Sequence, residues 1–202
     1  RLVKLGYLKR LTGELKLPAV MDWVDSFLES TGNEKLILFA VHRKLIAELE
    51  ERYKGICVKV DGSVTGKQRQ LSITKFLNDP TIRVFIGNIR AAGVGWSAKG
   101  VSTVAFVELS WTPGEHAQAE DRCHGIGRGT EGKRSEAWYL VGHDSIESKL
   151  LRIIQDKQQT VSAILDGEGK GESLDIYDQL CDELLKGEHS ASNNHAGNSR
   201  KR

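Results

Sequence analysis

Short apolar runs alternate with amphipathic ones along most of the chain. KLILFAV (35–41), ICVKV (56–60), IRVFIGN (82–88), VSTVAFVEL (101–109) and SEAWYLV (135–141) are rich in β-branched and aromatic residues. Runs of that length and composition read as buried strands. Between them, HRKLIAELEERY (42–53) and GKQRQLSITKFLN (66–78) carry apolar residues at helical spacing, with Leu71, Ile73, Phe76 and Leu77 marking the second. The stretch GEHAQAEDRCHGIGRG (114–129) is a strongly polar helix that glycines interrupt at its end. Strands alternating with helices predict an α/β domain, a parallel sheet with helices on both faces.

Further helices flank this core. LPAVMDWVDSFLES (17–30) predicts one, with Val20, Trp23, Val24, Phe27 and Leu28 on one side, and TGNEK supplies the turn after it. Residues 144–169 predict a long amphipathic helix, with Asp144 as N-cap and Gly167 as stop. A shorter one follows over 173–186, and the tail 187–202 is too poor in apolar residues to order itself. The expected organisation is a helical lead-in (1–33), an α/β core (34–143), C-terminal helices (144–186) and a disordered tail (187–202). No internal repeat is present.

Composition narrows the function classes. Of 202 residues, 39% are hydrophobic and 28% charged, values of an ordinary globular chain. No apolar run approaches the roughly 20 residues of a membrane span, so no membrane partner is expected. The start RLVKLGYLKRLTG lacks the apolar region of a secretory signal. The three cysteines, Cys57, Cys123 and Cys181, show no CxxC spacing, which points to a reducing, intracellular compartment rather than a disulfide or zinc framework. The histidines show no ligand spacing either, and no metal is assigned to this chain. A net charge of +2 does not by itself mark a nucleic-acid binder, so any phosphate-facing surface must come from local clustering. The chain opens on Arg1 rather than Met, the expectation being a piece of a longer protein.

In an open parallel sheet, ligands gather at the carboxyl ends of the strands. Two loops there are unusual. GNIRAAGVGWSAKG (87–100) carries Gly93 and Gly95, which let backbone N–H groups approach a phosphate; the same GxG also serves a tight turn. In SWTPGEHAQAEDRCHG, Gln118 and Arg122 are four residues apart and share a helix face with position 125. Arg122 offers a permanently charged fork suited to phosphoryl oxygens. Local ion pairing with Glu120 and Asp121 is the plainer reading of the same residues. GSVTGKQ (62–68) is not a P-loop, because only three residues separate its glycines and Gln68 stands where Mg²⁺ needs a hydroxyl. No strand ends in a pair of acids for a metal. The chain therefore holds half a nucleotide site at most.

At these residues a resemblance enters. QAEDRCHGIG resembles motif VI of the Swi/Snf-type helicase-like ATPases of superfamily two, and LILFAVHR resembles motif IV. The run from VDGSVTGKQRQ to VELSWTPG resembles the family's stretch through motif V, and IESKLLRIIQDKQQTVSAILDG its brace helix. The likeness covers roughly residues 15–167, and GELKLPAVMDWVDSFLES is similar to the annealing-helicase branch. It implies the second RecA-like lobe of a two-lobe, ATP-dependent translocase acting on double-stranded or branched DNA. The first lobe would hold the P-loop and Mg²⁺. Gly93 and Gly95 would line the nucleotide, and Gln118 and Arg122 would face the γ-phosphate. Ser63 and Asn88, with Arg43, Lys67 and Arg90 nearby, would grip a DNA backbone without reading sequence. The implied location is DNA-associated: nuclear in a eukaryote, the nucleoid in a prokaryote.

The chain departs from the family pattern at one position that matters most. The second arginine of motif VI is replaced by Gly125, and Arg128 stands where the family has Gln. An arginine finger is worth about 10³–10⁵ in rate, or roughly 4–7 kcal/mol. Three arrangements stay open: Arg122 acts alone at reduced rate, Arg128 takes over the missing role, or the protein binds DNA or a partner without hydrolysis. Trp96 and Lys99 also stand where the family usually has Leu and Thr.

Overall fold

The computed structural model describes residues 2–92, 96, 98, 100–124 and 135–163, together with Gln179 and Asp182. Five strands, β1 (Leu36–Ala40), β2 (Cys57–Val60), β3 (Val84–Asn88), β4 (Thr103–Phe106) and β5 (Glu136–Tyr139), pair in parallel in the order β2-β3-β1-β4-β5. In the centre, Leu38 of β1 lies opposite Ile86 on one side and Ala105 on the other. β1 and β4 are buried at every position, which explains why their sequences are continuous apolar runs rather than alternating ones. The predicted strands each lose one to five residues at their ends, where the backbone leaves the ladder.

Helices cover both faces, as the alternation predicted: α1 (Leu2–Ser30), α2 (Arg43–Arg52), α3 (Gly66–Asn78), α4 (Ile89–Ala92), α5 (Pro113–His124) and α6 (Ile146–Ala163). Leu17, Val20 and Val24 of α1 and Leu45, Ile46 and Leu49 of α2 pack with Leu36, Leu38 and Ile86 on one face. Ile73 and Phe76 of α3, Ala92 of α4, Ala119 of α5 and Leu150 of α6 pack with Ile37, Phe39, Phe85 and Phe106 on the other. The division follows from handedness. The β1–β2 crossover runs toward one edge of the sheet and the later ones run back, and right-handed connections in opposite directions must use opposite faces.

Three local expectations are corrected. The first helix begins at Leu2 rather than Leu17, and Pro18 lies inside it. Pro18 removes one backbone hydrogen bond, but the buried Leu5, Lys9, Leu17 and Val20 on either side hold the helix continuous. Leu71 belongs to α3 yet is 68% exposed, so it faces away from the core. Asp144 does not cap α6: it adopts φ +49°, and the adjacent Ser145 Oγ accepts from Glu147 N and Ser148 N at 3.1 and 3.4 Å. Position 167, the expected stop, lies outside the described residues, as do all but Gln179 and Asp182 of the predicted helix 173–186 and the tail.

α1 also fixes what the site can look like. A Cβ at Gly13 would sit 3.0 Å from both Glu108 Oε1 and Leu45 Cδ2, while Lys9 lies over the Trp111 ring. Glu108 and Trp111 follow β4, so the first half of α1 passes across the carboxyl ends of the strands. Within the sheet, Gly87 of β3 permits a similarly close approach: a Cβ there would lie 2.6 Å from Ala92 Cβ and 3.0 Å from Phe85. Gly87→Ala is expected to destabilise the fold by about 1–3 kcal/mol through overpacking. Urea denaturation of the two proteins checks it, and an unchanged midpoint would show that the β3–α4 connection yields freely.

Candidate nucleotide- and DNA-facing edge

The carboxyl edge of the sheet divides into two halves. Loops after β2, β3 and β1, which are neighbours in the sheet, bring Ser63, Lys67, Asn88, Arg90 and Arg43 to one half. After β2, Asp61 accepts from both the backbone N and the hydroxyl of Ser63, which shapes a turn there. The Ser63 hydroxyl beside it holds the Asp61 carboxyl below its usual range. Thr65 and Gln68 then form a capping box, which starts α3 and leaves Lys67 exposed in its first turn. Arg43 opens α2 and is also exposed.

Asn88 is used mainly inside the fold. Its Oδ1 accepts from Arg90 N and Ala91 N at 3.1 and 3.3 Å, starting α4, and its Nδ2 donates to Val41 O at 2.9 Å, tying β3 to β1. Arg90 is 65% exposed in its side chain and pairs through Nε with Glu115 Oε1 at 2.9 Å.

The other half of the edge is built on the connection from β4 to α5. Glu108, fully buried, accepts from Val41 N at 2.8 Å, His42 N at 2.7 Å and the His42 ring at 2.5 Å. Burial pushes its carboxyl up, but the hydrogen bonds from His42 and Val41 more than offset this and leave it below the ordinary range. The pair sits between β1 and β4, where the order of connections reverses, the position at which open sheets form their crevice. α1 closes over it. Lys9 is 1% exposed, its Nζ has no hydrogen-bond partner among the described residues, and it lies 5.1 Å from the Trp111 centroid. Burial lowers the Lys9 ammonium to about 8, against the pull of Glu108 and Glu147. Lys16 bonds Glu147 and the carbonyl of Leu140, joining α1 to α6.

α5 starts with Pro113 at its first position, where a missing N–H costs nothing. Pro113, His116 and Ala119 face the core, whereas Gln118 is exposed. His116 packs on Phe106 and Tyr139, with ring centroids 4.9 and 5.7 Å away. Its Nε2 receives Ser110 N at 3.0 Å and lies 3.3 Å from Ser110 O. Desolvation pushes the imidazole down to about 4, so it is neutral at pH 7. Arg122 lies in the same helix one turn after Gln118, though its side chain is outside the described set. Gly93, Gly95, Gly125 and Arg128 lie outside the described residues altogether.

Sequence reasoning placed its candidates at this edge and did not name Glu108, His42, Lys9, His116 or Glu115 among them. A carboxylate closing an otherwise apolar strand, as in AFVEL, was the available signal for the first. His42 and Lys9 meet partners distant in sequence, and Glu115 meets Arg90 25 residues away, so these contacts leave no local mark. Among the described residues, no three His, Cys, Asp or Glu converge in a way that could hold a metal ion. The described edge supplies cations, amides and hydroxyls suited to phosphate, but no cluster for Mg²⁺. A groove of about 570 Å³ lies at the opposite, amino-terminal end, lined by Trp23, Phe27, Glu136 and Trp138. It shares no residue with this edge. No helix among the described residues is long and apolar enough to cross a membrane.

Comparison with known proteins gives a consistent result. The family model for the helicase conserved C-terminal domain matches residues 19–127. The chain is 31% identical over 169 residues to the mouse DNA annealing helicase and endonuclease ZRANB3, covering 81% of this chain and 15% of that protein. It is 31% identical over 173 residues to the helicase swr1 of Emericella nidulans, covering 80% of this chain and 10% of that one. A crystal structure of the C-terminal part of the Fun30 ATPase domain superposes with a TM-score of 0.60 at 29% identity, covering 80% of this chain and 53% of that chain. The chain thus spans only about 15% of the length of the annealing helicase it matches. It belongs to the helicase conserved C-terminal domain family, as a second RecA-like lobe of the Swi/Snf type of superfamily two, a group that includes the annealing helicases.

Proposed function

We propose that this lobe supplies the arginine side of an interlobe ATP site and part of the DNA grip in an ATP-dependent double-stranded-DNA translocase. The observation that carries the reading is the two-part carboxyl edge. Exposed Gln118 stands one turn before Arg122 on α5, while exposed Arg43, Ser63, Lys67 and Arg90 stand on the adjoining loop and first helical turns. ATP with Mg²⁺ binds between the lobes, and the metal is held by the first lobe. Arg122 faces the γ-phosphate, Gln118 senses ATP, and Gly93 and Gly95 line the nucleotide. Arg128 is the candidate to replace the arginine missing at Gly125. Residues 1–33 lead into the lobe, 34–143 form it, and 144–186 are its brace and C-terminal helices.

Without its partner lobe the chain hydrolyses no ATP. Fork remodelling, strand annealing or displacement of DNA-bound protein is the work of the complete motor, on double-stranded or branched DNA inside the cell and, in a eukaryote, in the nucleus. A second reading, a module that closes on nucleotide or DNA without hydrolysis, is favoured by one observation: Gly125 stands in place of the second arginine. ATP hydrolysis by the natural polypeptide that carries this chain, with and without duplex DNA, separates the two. Stimulation by DNA supports the motor, and turnover at background level under both conditions supports the silent module.

A further inference from the structure

We propose that Glu115 is a positioning residue for DNA: it holds the Arg90 guanidinium by Nε and leaves the two terminal nitrogens of the fork for a DNA phosphate. The inference rests on the reading above that Arg90 touches DNA, and it adds a physical link between that contact and the helix that carries Gln118 and Arg122.

Arg90 Nε donates to Glu115 Oε1 at 2.9 Å, and among the described residues this is the guanidinium's one hydrogen bond to a side chain. The Arg90 side chain is 65% exposed, so its terminal nitrogens open to solvent, whereas Glu115 is 23% exposed. Glu115 is itself fixed. Its other oxygen takes the Ser110 hydroxyl, and its backbone N donates to Thr112 O at 3.1 Å. It stands in the first turn of α5, where the helix dipole favours a negative charge. Ser110 N in turn donates to the buried His116 ring. At the other end, the Arg90 backbone N is held by Asn88.

An arginine anchored along one edge has less rotamer freedom to lose when its fork takes a phosphate, and its planar geometry allows both contacts at once. The Arg90–Glu115 pair bridges α4 to α5. A phosphate drawn onto Arg90 therefore pulls on the first turn of the helix whose next turns carry Gln118 and Arg122.

Bare electrostatics predicts the opposite sign for one substitution, which makes the proposal testable. Removing a carboxylate close to DNA ordinarily tightens binding, because it removes repulsion from the phosphates. If Glu115 orients Arg90, Glu115→Ala weakens binding instead. The experiment titrates a fluorescent DNA duplex with this chain and follows anisotropy over a range of salt. Arg90→Ala is expected to weaken binding about tenfold and to reduce the magnitude of the log K against log salt slope by about 0.9. Glu115→Ala is expected to weaken it about fivefold, through the loss of alignment. The double variant binds no more weakly than Arg90→Ala alone. Glu115→Gln, which keeps an acceptor oxygen, binds at least as well as the parent. Tighter binding by Glu115→Ala, or additive losses in the double variant, overturns the positioning role and leaves the DNA grip standing. A parent that binds the duplex while Arg90→Ala binds equally well removes Arg90 from the grip and the proposal with it.

Discussion

Arg122→Ala, made in the natural polypeptide that carries this lobe, lowers DNA-stimulated ATP hydrolysis by about 10³–10⁵-fold, the range an arginine finger supplies. On the proposed reading the loss is in kcat rather than in nucleotide affinity, because the guanidinium meets charge that develops only as the phosphoryl group transfers. The geometry behind the expectation is the placement of α5. Pro113, His116 and Ala119 bind the helix to the sheet, and the turn bearing exposed Gln118 precedes Arg122. Single-turnover measurement separates the chemical step from product release. Gly125 makes a second comparison informative: Gly125→Arg restores the family pattern and raises the rate if Arg122 acts alone. It changes little if Arg128 already fills the role, in which case Arg128→Ala lowers the rate instead. A rate for Arg122→Ala within a few-fold of the parent ends the finger assignment.

Acidification destabilises the fold through His116. The imidazole is 0% exposed and its pKa is depressed to about 4 against 6.5 in the unfolded chain. Between those values the unfolded state carries a proton that the folded state lacks, so stability rises with pH across this window and falls as pH drops through it. The stabilisation is complete above about pH 6.5. A shift of this size corresponds to about 3 kcal/mol lost by pH 4, near a hundredfold in the folding equilibrium. Urea denaturation of this chain at pH 7 and pH 4.5 measures the loss. Other carboxylates also titrate here, so the decisive quantity is the difference from His116→Gln. That variant can still receive Ser110 N but has nothing to protonate, and its stability changes less between the two pH values. An equal acid loss in both proteins means that the ring is already solvated when folded.

The strands and the core helices were legible because burial leaves a local record. A fully buried parallel strand must be apolar throughout, and an amphipathic helix must repeat its apolar positions. α3 shows the strength of that record, since its predicted span of 66–78 is the span observed. α1 shows its limit. Its buried side includes Lys9, Gly13 and Lys16, which do not read as a core face, and Pro18 reads as a boundary. Only packing against α2 and α6 makes the helix continuous.

The site divides along the same line. Gln118, Arg122 and the glycines are candidates because phosphate chemistry favours those residue types locally, and Ser63 is one through the family resemblance alone. Glu108 with His42, and Arg90 with Glu115, are pairs 66 and 25 residues apart that only the strand order brings together. Asn88 was read as a DNA contact on its place alone. The structure adds its helix-starting and strand-tying bonds, which nothing in the IGN triplet announces.

The two outermost strands, β2 and β5, have four residues each. Lys59 on β2 pairs with Glu50 and stays in the periphery, and exposed Glu136 on β5 accepts from the Trp138 indole. Brief borders that carry charge offer a neighbouring molecule little to zip against. The lobe can therefore be crowded at high local concentration without its sheets fusing side by side into fibrils.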